Sequence, residues 1–386
     1  MEHKFVAKKY WGLGHSAMSG SDALKGGCND LIDFSIGNPD LVTPIPIIEA
    51  AIEDAKKGYT GYGSFRGDPE LVSEIVKQYK EDYGMDISSK VVYITPSATA
   101  AMYICLKSIL DEGDEVIVQA PYYTKYIEQV ELAGGKFVTV DTYEEEDFQI
   151  DPARLEAAIS DKTKAIILNT PSNPTGNCLS LECMKEIAKI VEKHDILVIA
   201  DDIYTAYSYQ EEFVPFASLP GMFERTVTIN TVSKNFLMTG WRLAWIVAPD
   251  YLTDVFQIIN DGIAFTACSV SQRATIYALK HREEIQPKIT KIFRERVEYA
   301  ADRINKIPGL SVINPPKGTF YLFPNIKGTG LTSEEFSKKI LEEAHILVLP
   351  GTAFGECGEG YVRMSCTMDI KLIAEAMDRL EQLFTK

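Results

Sequence analysis

Seven short apolar runs, rich in β-branched residues, constrain the fold of this chain more than any other feature of its sequence. Helical patterns separate them, such as residues 180–194 with Ser180 as the N-cap, and a further helix that runs to Tyr83 opens before the first run at Asp68-Pro69. Strands that are apolar on both faces need cover on both sides, and helical connections favour parallel pairing. The sequence therefore predicts an α/β fold with a mostly parallel central sheet covered by helices. The runs are residues 91–95, 115–120, 136–141, 164–170, 196–201, 226–231 and 242–248.

The pattern changes after about residue 283, where long charged helices alternate with short strand candidates. The first 45 residues have no sheet partner near them in sequence, so we assign them to the same smaller α+β unit. We predict a large domain of residues 46–282 and a small domain made of residues 1–45 and 283–386. Helices are predicted over residues 285–305, 332–344 and 369–384, and strands over 310–315, 319–326, 346–350 and 359–366.

The charge of the chain limits its partners. The formal net charge is −16, which repels nucleic acids and anionic membranes on average, so small molecules are the favoured partners. No stretch approaches the roughly 18 apolar residues of a membrane helix, and the first residues lack the apolar segment of a signal peptide. These features predict a cytoplasmic protein that binds neither nucleic acid nor membrane.

The seven cysteines are odd in number and form no C-x-x-C pair, which argues against a disulfide framework and a zinc site. We predict buried free thiols, Cys28 included. The five histidines, His15 among them, are scattered and have no metal-ligand spacing. Neither a metal site nor a serine triad is expected.

Polar residues follow several of the predicted strands where each strand ends. In an open α/β sheet, ligands bind at the carboxyl ends of the strands. Taken singly, each feature has an ordinary structural explanation, because strand-ending turns, helix caps, core aromatics and surface lysines are common. In chain order the features are Tyr123, the turn 171–176, Asp201 with Tyr204, and Lys234 with Arg242.

In this order the features resemble the class I and II aminotransferases of the fold type I enzymes that depend on pyridoxal 5′-phosphate (PLP). So many matches in sequence order are not a chance pattern. The resemblance implies the PLP-dependent transferase fold and amino-acid and 2-oxo-acid substrates. The matching segments are residues 37–40, 58–62, 121–123, 173–176, 201–204, 233–234, 240–242, 318–321, 350–355 and 361–363, together with Gly67.

The resemblance assigns roles around the cofactor ring. A lysine with a lowered pKa forms a Schiff base with the PLP aldehyde and moves a proton, and Lys234 takes this part. Asp201 takes the part of the carboxylate that keeps the ring nitrogen protonated. Tyr204 and Asn173 donate hydrogen bonds to the phenolic oxygen, and Tyr123 stacks on the ring face.

The phosphate of the cofactor needs several donors, including amides at a helix N-terminus. In the family, a tyrosine that matches Tyr62 reaches the phosphate from the neighbouring subunit, so the resemblance implies a homodimer with shared active sites. The residues assigned to the phosphate within the chain are Ser97, Ala98, Thr99, Thr231, Ser233 and Arg242.

Arg363 matches the arginine that binds the α-carboxylate of the substrate, a group that guanidinium holds with two parallel hydrogen bonds. Gly37 and Asn173 are assigned beside it. The alternative is that Arg363 forms an ordinary ion pair on an exposed edge strand.

One departure from the family pattern bears on substrate choice. Relatives that prefer acidic substrates can carry lysine where this chain has Thr99, so its absence weakens an aspartate-specific hypothesis. Lys125 and Arg66 are the alternative cations. Other departures, none of which removes a catalytic group, are Asn38, Ser97 and Asp202.

The resemblance predicts an aminotransferase that works in two half-reactions. A carbon–sulfur β-lyase is the nearest alternative, because both reactions begin with the same proton abstraction. A second alternative is a PLP-binding regulator without turnover, which the acidic charge disfavours. A nucleotide-dependent dehydrogenase is disfavoured because no G-x-G-x-x-G motif follows an early strand.

Overall fold

The computed structural model describes residues 3–11 and 30–385. Within those two stretches, no helix combines the length and the apolar character needed to cross a membrane. The predictions for Cys28 and His15 lie outside the described residues. The other cysteines are free, and Cys268 is exposed at the N-cap of the helix Ser269–Lys280, so the prediction of a buried thiol is wrong there. Of the rest, Cys105, Cys183 and Cys366 are buried, and Cys178 and Cys357 are half-buried.

Strands and helices alternate along most of the described chain. The strands are β1 (Ile32–Asp33), β2 (Val92–Thr95), β3 (Glu115–Ala120), β4 (Lys136–Asp141), β5 (Thr163–Leu168), β6 (Leu197–Asp201), β7 (Thr226–Thr231), β8 (Ala244–Val247), β9 (Tyr321–Leu322), β10 (Ile346–Leu347), β11 (Leu349–Pro350) and β12 (Val362–Ser365). The α-helices are α1 (Ile45–Lys56), α2 (Pro69–Tyr83), α3 (Ala98–Ile109), α4 (Lys125–Ala133), α5 (Pro152–Ala158), α6 (Leu181–His194), α7 (Val232–Asn235), α8 (Asp250–Ile263), α9 (Ser269–Lys280), α10 (Arg282–Ile304), α11 (Ser333–Ala344) and α12 (Ile370–Phe384).

The central sheet contains seven strands in the spatial order β2-β8-β7-β6-β5-β3-β4. All neighbours run parallel except β8, which is antiparallel to β2 and to β7. The predicted mostly parallel sheet is confirmed. The prediction that the strands are buried on both faces is wrong for β4. Only Val140 of this strand is buried, because β4 lies at the edge of the sheet.

Alternate residues of one strand face opposite layers of helices, as the pleat requires. On β5, Ile167 packs in a cluster with residues of α3, α4 and α8, whereas Ile166 packs with α5 and α6. On β8, Ile246 joins the first layer and Trp245 packs with α1, α2 and α9. Helices therefore cover both faces of the sheet, as predicted.

Two helix starts follow from capping residues. Asp68 Oδ1 accepts a hydrogen bond from the backbone N–H of Glu70 at 2.9 Å, and Ser180 Oγ accepts one from that of Cys183 at 3.1 Å. Each cap satisfies a backbone donor at the helix end, a contribution of about 1 kcal/mol. The predicted starts of α2 and α6 are confirmed.

The C-terminal part of the chain shares one core cluster with β1 and with Tyr204, Tyr207 and Leu237. Helices α10, α11 and α12 are confirmed, and β9, β12 and β11 form a small antiparallel sheet. The strand predicted over residues 310–315 is wrong, because Ser311 makes only an isolated bridge to Asn325 and Pro315 follows closely. From the N-terminal segment, β1 pairs in parallel with β10. The division into two domains at the predicted boundaries stays a prediction.

Candidate active site

A cavity of about 410 Å³ opens at the carboxyl ends of the parallel strands. The strands β6 and β7 end in its wall with Asp201 and Thr231. The predicted site residues that line it are Gly37, Ala98, Thr99, Tyr123, Asn173, Asp201, Tyr204, Thr231, Ser233, Lys234 and Arg242.

Lys234 lies on the short helix α7, directly after β7, which points its side chain into the cavity. Its Nζ donates a hydrogen bond to the carbonyl oxygen of Gly37 at 2.7 Å. Burial, with the nearby positive charges of Arg363 and Arg242, lowers the pKa of Lys234 from 10.5 to about 8. A much larger share of this amine is therefore neutral, and nucleophilic, than in a surface lysine.

Asp201 is buried and caps no helix, so the ordinary explanations for an acid at a strand end are wrong. Its Oδ2 accepts a hydrogen bond from the hydroxyl of Tyr126 at 2.5 Å, and its Oδ1 has no hydrogen-bond partner among the described residues. Burial raises the pKa of Asp201 to about 6, while the Tyr126 hydrogen bond acts in the opposite direction. One carboxylate oxygen thus remains available to a donor.

The predicted ring contacts gather around this carboxylate. Tyr204 is buried and donates a hydrogen bond to the hydroxyl of Tyr321 at 3.2 Å. Tyr123 lines the cavity and meets Tyr126 edge to face, with ring centroids 5.5 Å apart. The backbone N–H of Asn173 donates to the side chain of Asn169 at 2.8 Å, which fixes the turn after β5.

The residues assigned to the phosphate lie at the start of α3 and around α7. Arg242 Nη1 donates to the carbonyl oxygen of Thr239 at 2.8 Å. Its φ of 54° lies in the left-handed region, a strain common at functional sites. Thr231 Oγ1 donates to the carbonyl oxygen of Leu243 at 2.6 Å. Ser97 does not line the cavity: it is the N-cap of α3 and accepts from the backbone N–H of Ala100 at 3.1 Å.

Arg363 lies on β12 and is fully buried, so the alternative of an exposed ion pair is wrong. It forms no ion pair with an acidic side chain in the described part of the chain. Its Nη1 donates to Asn173 Oδ1 at 3.1 Å, its Nη2 donates to the carbonyl oxygen of Ser35, and its Nε is left without a partner. The rings of Tyr321 and Phe354 pack against the guanidinium, at 4.7 and 5.0 Å from its carbon.

Three other predicted residues lie away from the cavity. Tyr62 is 85% exposed. Arg66 pairs with Asp254, and Lys125 pairs with Glu128. Neither cation lines the cavity, so neither replaces a lysine at position 99 within this chain.

Sequence reasoning missed Tyr126, whose hydroxyl contacts Asp201. The only local signal is its spacing, since Tyr126 comes three residues after Tyr123, close to the start of a helical pattern. Its partner is 75 residues away in the chain, a distance that no local pattern bridges.

Comparison with known proteins agrees with this geometry. The chain is 39% identical over 369 residues to the aspartate aminotransferase of Pyrococcus abyssi, and the match covers 93% of each chain. It is 38% identical over 369 residues to aromatic-amino-acid aminotransferase 2 of Thermococcus litoralis, again covering 93% of each. The crystal structure of the aromatic aminotransferase from Pyrococcus horikoshii superposes with a TM-score of 0.90 at 38% identity, covering 95% of this chain and 98% of that one.

These neighbours put the fold among the fold type I transferases, as predicted. The sequence model of the aminotransferase class I and II family matches residues 29–380. The chain therefore belongs to the class I and II aminotransferases, and the predicted enzyme class is confirmed.

The lowered pKa of Lys234 gives a first prediction, for the protein without added cofactor. After reductive ¹³C-methylation, the resonance of Lys234 should titrate near pH 8, well below the surface lysines near 10.4. The Lys234→Arg variant identifies that resonance by its absence. Because the native state loses this proton at lower pH than the unfolded chain, the group makes the free energy of unfolding rise between about pH 8 and 10.5. A Lys234 resonance that titrates with the surface lysines would contradict the assignment.

Proposed function

We propose that the chain moves an amino group between an L-amino acid and a 2-oxo acid, with PLP bound in the cavity and attached to Lys234. One observation carries the proposal: Arg363 is fully buried, Lys234 is partly buried, and neither cation forms an ion pair with an acidic side chain of the described residues. Buried charges are costly unless a partner neutralises them. Anionic ligands are the natural partners of such a site.

The donor set of the cavity fits PLP. The free Oδ1 of the buried Asp201 suits a protonated ring nitrogen, and Lys234 offers an amine to the aldehyde. Arg242, Ser233 and the backbone at the start of α3 suit the phosphate dianion. When bound, PLP supplies a ring that withdraws electrons from the substrate carbon that loses its proton.

The residues of this chain would supply the remaining chemistry. Lys234 Nζ, neutral in part near pH 8, would take the proton from the α-carbon of the substrate. It would then deliver the proton to the cofactor carbon that carries the aldehyde. Tyr204 and Asn173 donate hydrogen bonds toward the phenolic oxygen of the ring. Before the ligand arrives, Tyr204 donates its single hydroxyl proton to Tyr321, so binding of the ring would redirect that proton to the phenolic oxygen.

Arg363 would bind the α-carboxylate of the substrate. Its Nε has no partner, and Asn173 and Ser35 already fix the plane of the guanidinium. A carboxylate that meets a preoriented guanidinium forms two charge-assisted hydrogen bonds, each stronger than a neutral one. The loss of entropy on binding is small because the side chain is already ordered.

We further propose that the preferred amino donors have uncharged side chains. Arg363 lies behind the cavity wall, where it donates to Asn173 and packs on Tyr321. Of the cationic side chains in the described residues, only Lys234 and Arg242 line the cavity, and both have assigned roles toward the cofactor. The uncharged side chains of Thr99, Met102 and Gln129 also line it. The names of the relatives do not decide the question, because an aspartate enzyme and an aromatic enzyme are 39% and 38% identical to this chain. The uncharged wall of the cavity favours aromatic donors over aspartate.

A homodimer is part of the proposal. Tyr62, Phe65 and Phe265 form an exposed aromatic patch in which Phe265 meets each of the other two rings edge to face, with centroids 5.1 Å apart. Exposed clusters of large aromatic side chains are typical of interfaces. A second copy seated here would bring Tyr62 toward the partner's phosphate site, as in the family. Cytoplasmic location stays a prediction.

Lys234 provides the central test. Borohydride treatment of the PLP-loaded enzyme should abolish the absorbance band of the bound cofactor and fix one PLP on the peptide that contains Lys234, detected by mass spectrometry. Lys234→Ala should keep the fold, leave no borohydride-fixed PLP and lose nearly all turnover, whereas Lys189→Ala, an exposed control, should behave as the wild type. Normal transamination by Lys234→Ala would overturn the assignment, and release of pyruvate and ammonia from cystathionine would favour the β-lyase.

Thr99 tests the substrate class. Thr99→Lys adds a cation to the cavity wall, so the ratio of kcat/KM for aspartate to that for tyrosine should rise about tenfold or more, since a charged hydrogen bond contributes about 1.5–3 kcal/mol. Thr99→Met, of similar length without charge, should leave the ratio unchanged. The measurement is kcat/KM for each donor, taken from the dependence of the single-turnover rate of PLP-loaded enzyme on donor concentration. An unchanged ratio in Thr99→Lys would contradict the proposed side-chain pocket, as would a wild type that prefers aspartate.

The dimer is tested at Phe265, which has a φ of 65° and is 42% exposed. Phe265→Asp puts a charge in the aromatic patch while placing a residue that tolerates this backbone conformation better. Sedimentation velocity should show a wild-type dimer and a weakened or monomeric variant, with a raised PLP dissociation constant. Phe5→Asp, at a position 83% exposed and outside the patch, is the control. A monomeric wild type would refute the dimer.

A further inference from the structure

Tyr126 is a buried tyrosine that no assigned role accounts for. It lies in the first turn of α4, only 2% exposed, and its hydroxyl donates to Asp201 Oδ2 at 2.5 Å. Burying a hydroxyl costs free energy unless it is hydrogen-bonded, and this one is bonded to a carboxylate in the cavity wall.

We propose that Tyr126 is a positioning residue for the cofactor ring: it holds one oxygen of Asp201 so that the other faces the ring nitrogen as a carboxylate. This inference rests on the proposed function, because it concerns the binding of PLP.

Hydrogen bonds within the protein occupy two of the three oxygen atoms of Asp201 and leave the third free for a ligand. Tyr126 occupies Oδ2, and Asn169 Nδ2 donates to the backbone carbonyl oxygen at 2.9 Å, so the residue is held at two points. Oδ1 is buried and has no protein partner among the described residues. The carboxylate therefore has a single free acceptor with a fixed direction.

The direction of the Tyr126 hydrogen bond follows from the environment. Burial, with the negative charge of Asp201, raises the pKa of Tyr126 well above 10, so the proton stays on the phenol. The hydrogen bond from Tyr126 stabilises the carboxylate of Asp201, whereas burial favours the neutral acid. The other titratable groups that respond to the charge of Asp201 are Asp202, Tyr204 and Tyr123, and none of them donates a hydrogen bond to its carboxylate oxygens.

Tyr126 also supports the tyrosine assigned to the ring face. Its ring meets Tyr123 edge to face at an interplanar angle of 83°. The backbone N–H of Tyr126 also donates to the carbonyl oxygen of Tyr123 at 3.0 Å, just before α4, so one short segment carries the residues assigned to both the face and the nitrogen of the ring.

Tyr126→Phe separates the hydroxyl from the packing, since it keeps the ring and removes only the donor. With PLP labelled with ¹⁵N in its ring, the wild type should give the chemical shift of a protonated nitrogen at pH 7.5. In Tyr126→Phe the shift should move toward the unprotonated value, and the PLP dissociation constant should rise about tenfold, the usual range for losing a hydrogen bond to a charged group.

Tyr122→Phe is the matched control. Tyr122 is also buried, four residues earlier, and its ring packs on Phe137 outside the cavity. Removal of its hydroxyl should change neither the nitrogen shift nor the PLP dissociation constant.

A second comparison tests whether Tyr126 acts through Asp201. In an Asp201→Asn background there is no carboxylate to stabilise, so adding Tyr126→Phe should change the PLP dissociation constant less than about twofold. An unchanged nitrogen shift in Tyr126→Phe, or an equal tenfold effect in the Asp201→Asn background, would overturn the inference. If the wild type binds no PLP at all, the proposed function fails instead, and the borohydride experiment on Lys234 separates the two failures.

Discussion

Positive charge buried without an acidic partner is the constraint on which the site depends. Within the described chain, hydrogen bonds and aromatic rings packed against the two cations reduce the cost of taking Arg363, and most of Lys234, out of water. Arg363 donates to Asn173 Oδ1, and the other bonds go to the carbonyl oxygens of Ser35 and Gly37, both in the segment that follows β1. That segment must therefore lie against the cavity, and two tertiary contacts hold it there. Strand β1 pairs with β10, and Arg296 donates to both oxygens of Asp40 at 2.8 and 3.1 Å.

The same segment explains a glycine. A Cβ atom on Gly37 would overlap the hydroxyl of Tyr321, so any other residue at position 37 would push that ring away. Tyr321 lies between two groups assigned to ligand binding: it accepts a hydrogen bond from Tyr204 and packs on Arg363. Gly37 of the N-terminal segment approaches the ring of Tyr321 in the small sheet closely. Tyr321 in turn contacts Tyr204, which follows β6, so three distant parts of the chain meet here.

The sequence predicted the sheet well because its strands carry their own signal in β-branched, doubly buried runs. It failed where burial depends on position in the sheet, as in β4, or where proline interrupts a ladder, as near Ser311. Motif matching brought most site residues to one cavity, since the carboxyl ends of parallel strands share an edge. Tyr126 was not predicted as a site residue because its role is a contact between distant segments of the chain. The residues that surround Arg363 could not be predicted from the sequence for the same reason.

The reversed direction of β8 has a consequence for how the site assembles. Because β8 is antiparallel to β7, Ala244 pairs with Thr231, and the residues before β8 return to the edge where β7 ends. In an all-parallel arrangement Arg242 would lie at the opposite edge of the sheet, about a strand length away. Lys234 and Arg242 instead occupy one hairpin-like connection between neighbouring strands. Their juxtaposition is a local contact of the chain, so it forms at a low cost in loop-closure entropy, whereas the hydrogen bond from Arg363 to Ser35 joins residues 328 apart in sequence.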